Sequence, residues 1–108
     1  MINTNLEGRV AIVTGGSQGV GAATAFILGQ AGASVVLTYN RSESSAMEVV
    51  EKIEKINSKA VALSLDLQDR ASIGRMVSRT MEQFGRIDIL VNNGAVGSAS
   101  VAHYAAPE

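Results

Sequence analysis

The chain has 108 residues, a net charge of −1 from nine basic and ten acidic side chains, and 46% hydrophobic residues. This composition is typical of one globular domain, and the balanced charge argues against general nucleic-acid binding, which needs a surplus of Lys and Arg. Because cysteine is absent and His103 is the one histidine, disulfides, thiolate metal sites and multi-histidine metal sites are excluded.

The first third of the chain predicts two strands separated by a helix. Residues 10–13 form a short apolar run that is typical of a buried strand, and residues 35–37 form another. Between them, apolar residues recur at helical spacing over residues 20–31, with Gly32 at the place of a helix C-terminal glycine. The expected buried face of this helix consists of Val20, Ala23, Ile27, Leu28 and Ala31.

The rest of the chain continues the alternation. Residues 45–57 predict a second helix, opened by Ser45 and Glu48 at capping-box spacing, with a buried face of Ala46, Val49, Val50, Ile53 and Ile56. A third strand covers residues 60–65, and a fourth covers residues 87–91. Between them Asp69 is placed to cap a third helix that ends at Gly85, with a core face of Ile73, Met76, Val77, Thr80, Met81 and Phe84.

The element order β-α-β-α-β-α-β predicts an α/β fold, a Rossmann-like doubly wound parallel sheet with strand order 3-2-1-4. Six or more strands are usual in such sheets, so a sheet of four is incomplete. Two helices should cover one face and the third helix the other, leaving the fourth strand as an apolar edge. We expect residues 1–108 to form a single Rossmann domain that is truncated after the fourth strand.

The turn after the first predicted strand is rich in glycine and leads directly into a helix; it reads Thr14-Gly15-Gly16-Ser17-Gln18-Gly19-Val20-Gly21. Such a turn suits a pyrophosphate, because free N–H groups and the helix dipole face the anion. A Walker A loop fails at Ala22, where lysine is required, and the G-x-G-x-x-G template fails at Thr24. The pattern T-G-x-x-x-G-x-G fits, with a purely structural turn as the alternative.

The chain resembles the short-chain dehydrogenases/reductases in three motifs. These are the glycine-rich turn, Asp66-Leu67 after the third strand, and Leu90-Val91-Asn92-Asn93 at the fourth strand, and the resemblance covers residues 6–96. It implies that the pyrophosphate and the adjacent ribose are bound by Gly15, Ser17, Gln18, Gly19, Val20 and Gly21.

The same resemblance assigns roles to residues after the third and fourth strands. Asp66 would hydrogen-bond to the adenine amino group, Leu67 would pack beside the base, and Asn92 would lie along the cofactor ribose and support the central strands. The family usually reads Asn-Asn-Ala-Gly where this chain has Asn-Asn-Gly94-Ala95. A positive φ at position 95 would strain Ala95.

The end of the second strand favours NADP over NAD. An acidic residue there usually binds the ribose 2′-hydroxyl, but residues 38–42 contain none. Arg41 can pair with a 2′-phosphate through its planar guanidinium, and Ser42 can add a hydroxyl donor. In the alternative interpretation Arg41 is an ordinary solvent-facing side chain that Glu43 neutralises, and NAD stays possible.

No catalytic residue of the family can be assigned. The resemblance implies a Tyr with a Lys four residues later, an upstream Ser and an Asn, all after the fourth strand. Tyr104 is followed four residues later by Glu108 instead of lysine. His103, Ser98 and Ser100 are best interpreted as loop residues.

The sequence therefore predicts the NAD(P)-binding part of a short-chain oxidoreductase that transfers a hydride between NADP and a carbonyl or alcohol substrate. A catalytically silent nucleotide-binding or interaction module is the alternative, and a fragment without a stable fold is a third. The expected partners are the dinucleotide and, if a C-terminal half completes the protein, the small-molecule substrate, with a homo-oligomer left open. Nucleic acid and membrane are not expected as partners. No apolar run spans a bilayer and no secretory signal is visible, so a cytoplasmic location is expected.

Overall fold

The computed structural model of the protein describes residues 5–93 as one four-stranded sheet with three helices. In chain order these are β1 (Val10–Thr14), α1 (Gly19–Gln30), β2 (Ser34–Tyr39), α2 (Glu43–Lys55), β3 (Ala60–Ser64), α3 (Arg70–Phe84) and β4 (Ile89–Asn92). Every strand pair is parallel, and the strand order is β3-β2-β1-β4. The predicted α/β fold and its strand order are confirmed.

Helices cover both faces of the sheet, because crossovers between parallel strands place them there. The face covered by α1 and α2 is lined by Ala11, Val13, Val35 and Leu37. The opposite face meets α3 through Met76, which packs with Ile12 and Val36. β1 is buried along its whole length, so the turn that follows it starts from a fixed position.

The fourth strand has an uncovered apolar side chain, as predicted from the helix count. Leu90 pairs in register with Ile12 and is 62% exposed, whereas Ile12 is buried. Paired residues of neighbouring strands share a face of the sheet, so Leu90 lies on the α3 face. The strand itself begins at Ile89 rather than at position 87, and Ile87 lies outside it.

The predicted buried face of α1 is wrong for Val20, Ala23 and Ile27, which are exposed, whereas Leu28 is half-buried and packs against the core. The buried residues are Gly21, Ala25 and Gly29, whereas Val20 and Ile27 are 75% and 61% exposed. These three residues are four apart and carry at most a methyl group, which lets the helix axis approach its neighbours closely. A Cβ at Gly29 would lie 2.9 Å from Ile53 Cγ2, so close packing against α2, not apolar size, selects the buried face.

The predicted start of α2 is also wrong. The helix begins at Glu43 with Ser42 as its N-cap, so Ser45 lies inside the first turn and cannot form the predicted capping box. The acidic side chain of Glu43 in this turn interacts favourably with the helix dipole. The buried face is Ala46, Val49, Val50 and Ile53, as predicted, whereas Ile56 lies beyond the last turn and is exposed.

The predicted ends of α3 are confirmed. The Asp69 side chain accepts a hydrogen bond from the Ala71 N–H (3.0 Å), and Gly85 ends the helix in the left-handed conformation with φ of 80°. Its buried face is narrower than predicted, because Val77 and Met81 on the flank are exposed while Ser72, Met76 and Thr80 are buried. Within residues 5–93, no helix is both long and apolar enough to cross a bilayer.

Candidate functional site

A cleft of about 350 Å³ lies at the carboxyl ends of β1, β2 and β3. Ligands of α/β sheets bind at this edge, because loops and helix N-termini meet there. The volume is within the range of small-molecule sites. Its walls are formed by Thr14, Gly15, Thr38, Tyr39, Asn40, Arg41, Leu65, Asp66, Leu67 and Gln68.

The glycine-rich loop connects β1 to α1 through two left-handed residues. Gly15 has φ of 66° and Gly19 has φ of 58°, a region where a side chain is strained. Between them Gln18 is extended and stands at the N-cap of α1 without a side-chain cap bond. The first N–H groups of α1 are therefore not capped by this side chain, which suits an anion at that end of the helix.

The next glycine of the motif, Gly21, has no room for a side chain. A Cβ at this position would overlap the carbonyl group of Gly15 and lie 2.6 Å from Asn93 Nδ2. The loop is thus folded back onto the first turn of α1, and this conformation requires a residue without a side chain at position 21.

Gly15 is held from both neighbouring strands. Its N–H donates to Thr38 Oγ1 of β2 (3.1 Å), and its carbonyl accepts from Asn93 Nδ2, which follows β4 (3.2 Å). The N–H of Gly16 also donates to the Thr38 carbonyl (3.0 Å). The loop conformation is therefore fixed by β2 and β4, not by its own sequence alone.

Thr14 links β1 to β4 at the same edge. Its Oγ1 accepts from the Asn93 N–H (3.0 Å) and donates to Asn92 Oδ1 (3.2 Å). The predicted residue Asn92 is thus engaged in joining the central strands. Thr38 and Asn93 were missed by sequence reasoning. The doubled asparagine was the signal for Asn93, whereas nothing local marks Thr38.

The other wall of the cleft follows β3. The Asp66 carboxylate accepts a hydrogen bond from the Gln68 N–H (3.0 Å), and the backbone N–H of Asp66 donates to Ser72 Oγ (2.9 Å). Asp66 is exposed, so the carboxylate is oriented but solvated. Leu67 is half-buried against the α3 core. An exposed carboxylate next to an apolar side chain provides one hydrogen-bond acceptor and one apolar contact for a heterocyclic base.

The turn after β2 carries the positive charge of the cleft. Arg41 is exposed and has no ion-pair partner among residues 5–93. Burial, followed by the nearby negative charge of Glu43, raises the pKa of the Tyr39 hydroxyl. Ser42, the N-cap of α2, makes no side-chain cap bond. No ion pair joins Glu43 to Arg41, which argues against the alternative in which Glu43 neutralises this arginine.

The structure gathers part of the predicted site around this cleft. Gly15, Arg41, Asp66 and Leu67 line it. The remaining predicted residues lie in the adjoining loop, at the start of α1 or α2, or at the end of β4; they are Ser17, Gln18, Gly19, Val20, Gly21, Ser42 and Asn92. Outside the described residues lie the Gly94-Ala95 exchange and the residues considered for catalysis, which are Ser98, Ser100, His103 and Tyr104. Within residues 5–93, no three acidic or histidine side chains are grouped to hold a metal ion.

A parallel sheet in 3-2-1-4 order, with a glycine-rich turn between β1 and α1, defines the Rossmann-like class of α/β domains. Comparison with known families identifies the group within this class. The family described as short chain dehydrogenase matches residues 9–108, and the chain belongs to this family.

Relatives of known sequence or structure are similar over most of the chain. A hydroxynaphthalene reductase of Aspergillus fumigatus is 43% identical over 100 residues, which are 89% of this chain and 37% of the relative. A dehydrogenase/reductase of Sinorhizobium meliloti superimposes with a TM-score of 0.84 at 41% identity, over 94% of this chain and 40% of that one. A short chain dehydrogenase of Burkholderia cenocepacia, solved in complex with NADP, gives a TM-score of 0.82 at 42% identity, over 90% and 41%. The chain thus spans about two-fifths of the length of these relatives.

Proposed function

We propose that this chain is the NADP-binding part of a short-chain oxidoreductase. The observation that carries the proposal is Arg41, an exposed guanidinium at the cleft with no ion-pair partner among residues 5–93. A free arginine beyond the second strand is the arrangement that accommodates a 2′-phosphate. The Burkholderia cenocepacia relative was solved with NADP, which supports the same cofactor here.

The described residues fit a dinucleotide on three counts. The glycine loop would hold the pyrophosphate, because Gly21 lets the loop fold back onto the first turn of α1, and this helix has no side-chain cap at Gln18. Asp66 and Leu67 would hold the adenine. Arg41 and Ser42 would hold the 2′-phosphate through charge-assisted hydrogen bonds. Ser17, Gly19, Val20 and Asn92 would line the pyrophosphate and ribose beside them.

When bound, the cofactor supplies hydride transfer to or from a carbonyl or alcohol carbon. The residues of this chain bind and orient it. The hydrogen bonds of Gly15 to Thr38 and Asn93 fix the loop before the ligand arrives, so less conformational entropy is lost on binding. Four properties stay predictions: the carbonyl or alcohol substrate, a homo-oligomeric state, a cytoplasmic location and a single domain spanning residues 1–108.

Titration of the purified 108-residue chain with NADPH and with NADH, followed by nicotinamide fluorescence, tests the proposal. We expect saturable NADPH binding that is tighter than NADH binding, and no oxidation of NADPH across a panel of carbonyl compounds. Equal affinity for the two dinucleotides would refute the 2′-phosphate assignment. Turnover by the isolated chain would refute the absence of catalytic residues.

The intact mass of the natural product in its source cells separates this proposal from a catalytically silent binding module. A species near 11.2 kDa would favour the silent module. A larger species that begins with the same residues would favour the oxidoreductase, and its extension should contain the missing Ser, Tyr and Lys.

A further inference from the structure

The turn that follows β3 fixes Asp66 through both of its backbone groups. The Asp66 carbonyl accepts a hydrogen bond from the Asp69 N–H (3.0 Å), and the Asp66 N–H donates to Ser72 Oγ in the first turn of α3 (2.9 Å). The Gln68 N–H donates to one carboxylate oxygen of Asp66, Oδ1 (3.0 Å), whereas Oδ2 accepts no hydrogen bond from residues 5–93. An exposed carboxylate is therefore attached to a backbone that is held in place, with one oxygen left for a ligand.

Ser72 is a buried polar residue on the core face of α3. It is 5% exposed and shares this face with Met76 and Thr80. The Thr80 hydroxyl donates to the Met76 carbonyl (2.8 Å) and so bonds within its own helix. The Ser72 hydroxyl instead accepts from a residue of the cleft wall, six positions earlier in the chain. Alanine would occupy less space and favour a helix more, so the packing of α3 alone does not account for a hydroxyl here.

We propose that Ser72 is a positioning residue for adenine recognition, because its hydroxyl fixes the backbone of Asp66 and so directs the carboxylate to the 6-amino group of the base. This role rests on the proposed function, in which Asp66 and Leu67 hold the adenine of the dinucleotide. Ser72 does not line the cleft, so it acts through Asp66 and does not contact the ligand itself.

The physical reason is that the two proposed contacts of the base are held in different ways. Leu67 is half-buried and packs against the α3 core, so its apolar contact does not depend on the Ser72 bond. The Asp66 carboxylate is exposed, and its direction is set by the hydrogen bonds of the turn. Without the Ser72 acceptor, the backbone of Asp66 gains freedom that it must lose again when the carboxylate binds the base. Loss of the hydroxyl should therefore weaken the hydrogen bond to the amino group and spare the apolar contact.

Ser72→Ala, measured with two dinucleotides by nicotinamide fluorescence, tests the role. NADPH carries the 6-amino group, whereas its hypoxanthine analogue carries an oxygen there and cannot donate to a carboxylate from this position. We expect the Kd for NADPH to rise about three- to tenfold, the range that a hydrogen bond of ordinary strength gives, and the Kd for the analogue to stay within about twofold of wild type. The preference for NADPH over the analogue should fall accordingly.

Ser58→Ala is the matched control. The Ser58 hydroxyl donates to the Gly29 carbonyl (2.5 Å), and Ser58 precedes β3, at the edge of the sheet opposite the cleft. This variant also loses a hydrogen bond between a serine hydroxyl and the backbone of a distant residue. Because the bond lies away from the cleft, Ser58→Ala should bind both dinucleotides as wild type does.

Two further variants test whether Ser72 acts through Asp66. In an Asp66→Ala background, Ser72→Ala should cause no further loss of NADPH affinity, because the carboxylate that Ser72 positions is gone. Ser72→Cys keeps the shape of the side chain but offers a weaker acceptor. If Ser72→Ala does not fold, Ser72→Cys must show the same selective loss of NADPH affinity, and unchanged selectivity in that variant would overturn the inference.

The outcomes separate the inference from the proposed function. A wild-type chain that binds neither dinucleotide would overturn both. Equal wild-type affinity for NADPH and the hypoxanthine analogue would overturn the adenine contact of Asp66, and with it the role of Ser72, while the 2′-phosphate assignment would stand. Equal losses of both dinucleotides in Ser72→Ala, or a full additional loss in the Asp66→Ala background, would overturn the inference alone, because either would mean that Ser72 supports the fold and not the carboxylate.

Discussion

The Gly15 N–H donates a hydrogen bond to Thr38 Oγ1 over 3.1 Å, so the glycine loop after β1 is tied to the end of β2. Thr38 is buried and precedes Arg41 by three residues. The bond therefore joins two parts of the proposed site, the loop for the pyrophosphate and the turn for the 2′-phosphate. Asn93 holds the carbonyl of Gly15 from the other side, so both polar groups of this glycine are engaged.

Thr38→Val should destabilise the fold and weaken NADPH binding. Valine keeps the shape of threonine but leaves the Gly15 N–H without its partner, at a cost of about 1–3 kcal/mol. Urea unfolding gives the free energy of unfolding, and nicotinamide fluorescence gives the Kd. Thr24→Val is the matched control, because its hydroxyl bonds to Val20 O within the same helix and should change stability by less than about 0.5 kcal/mol. Equal costs for the two variants would contradict the role of Thr38.

Gly21→Ala should damage the loop even though the position is helical. The added Cβ would overlap the Gly15 carbonyl and contact Asn93, and overpacking of this kind costs about 1–3 kcal/mol. NADPH affinity should fall at least tenfold, because the loop must shift. Gly74→Ala in α3 is the control: a Cβ there meets nothing within 4 Å, and alanine should stabilise the helix by roughly 0.5–1 kcal/mol. If both changes stabilise the chain, the close approach at Gly21 is not real.

Sequence reasoning succeeded where one local pattern decides the outcome. The strand order followed from element alternation, and the ends of α3 followed from Asp69 and Gly85, which act on their immediate neighbours. It failed at the buried face of α1, because apolar spacing marked Val20 and Ile27 while close packing favours Gly21 and Gly29. Size complementarity between helices depends on both partners and cannot be seen in one segment.

The candidate site shows the same division. The motif residues of the glycine loop were identified from spacing, because phosphate binding needs glycines at fixed positions. The groups that hold the loop come from β2 and β4, 23 and 78 residues away along the chain. The sequence likewise left open whether Glu43 neutralises Arg41, and in the structure no ion pair joins these two side chains.

Arg41→Ala should weaken NADPH binding selectively. Hydrogen bonds to a charged group contribute about 1.5–3 kcal/mol, which corresponds to roughly a ten- to hundredfold rise in the Kd. NADH binding should not change, because its 2′-hydroxyl carries no charge. Arg79→Ala serves as the control, since Arg79 is an exposed arginine on α3 that does not line the cleft. Parallel losses for NADPH and NADH would mean that Arg41 supports the fold and not the 2′-phosphate.

Asp69→Ala should destabilise the chain more than Ser45→Ala. The Asp69 carboxylate accepts from the Ala71 N–H at the start of α3, and removing such a cap costs about 0.5–2 kcal/mol. Ser45 lies within the first turn of α2 and caps nothing, so alanine there should be neutral or slightly stabilising. Urea unfolding of both variants decides between them. A larger loss for Ser45→Ala would restore the capping box that the structure lacks.

Asp88 should make the stability of the chain depend on acid pH. Its carboxylate accepts from Arg86 (2.8 and 2.9 Å) and from the Val10 N–H (2.8 Å). The Arg86 hydrogen bond, then the Val10 bond, hold the pKa of Asp88 below the ordinary value of 3.8, with further contributions from the charges of Arg86 and Arg9.

Because the folded-state pKa of Asp88 is the lower one, the contribution of this carboxylate is complete above pH 3.8 and is lost as the pH falls through the folded value. Asp88→Asn should lower the Tm at neutral pH and reduce the fall in Tm on acidification. If Asp88→Asn and wild type lose the same Tm between about pH 6 and pH 3, the carboxylate does not link β1 to the segment before β4 in solution.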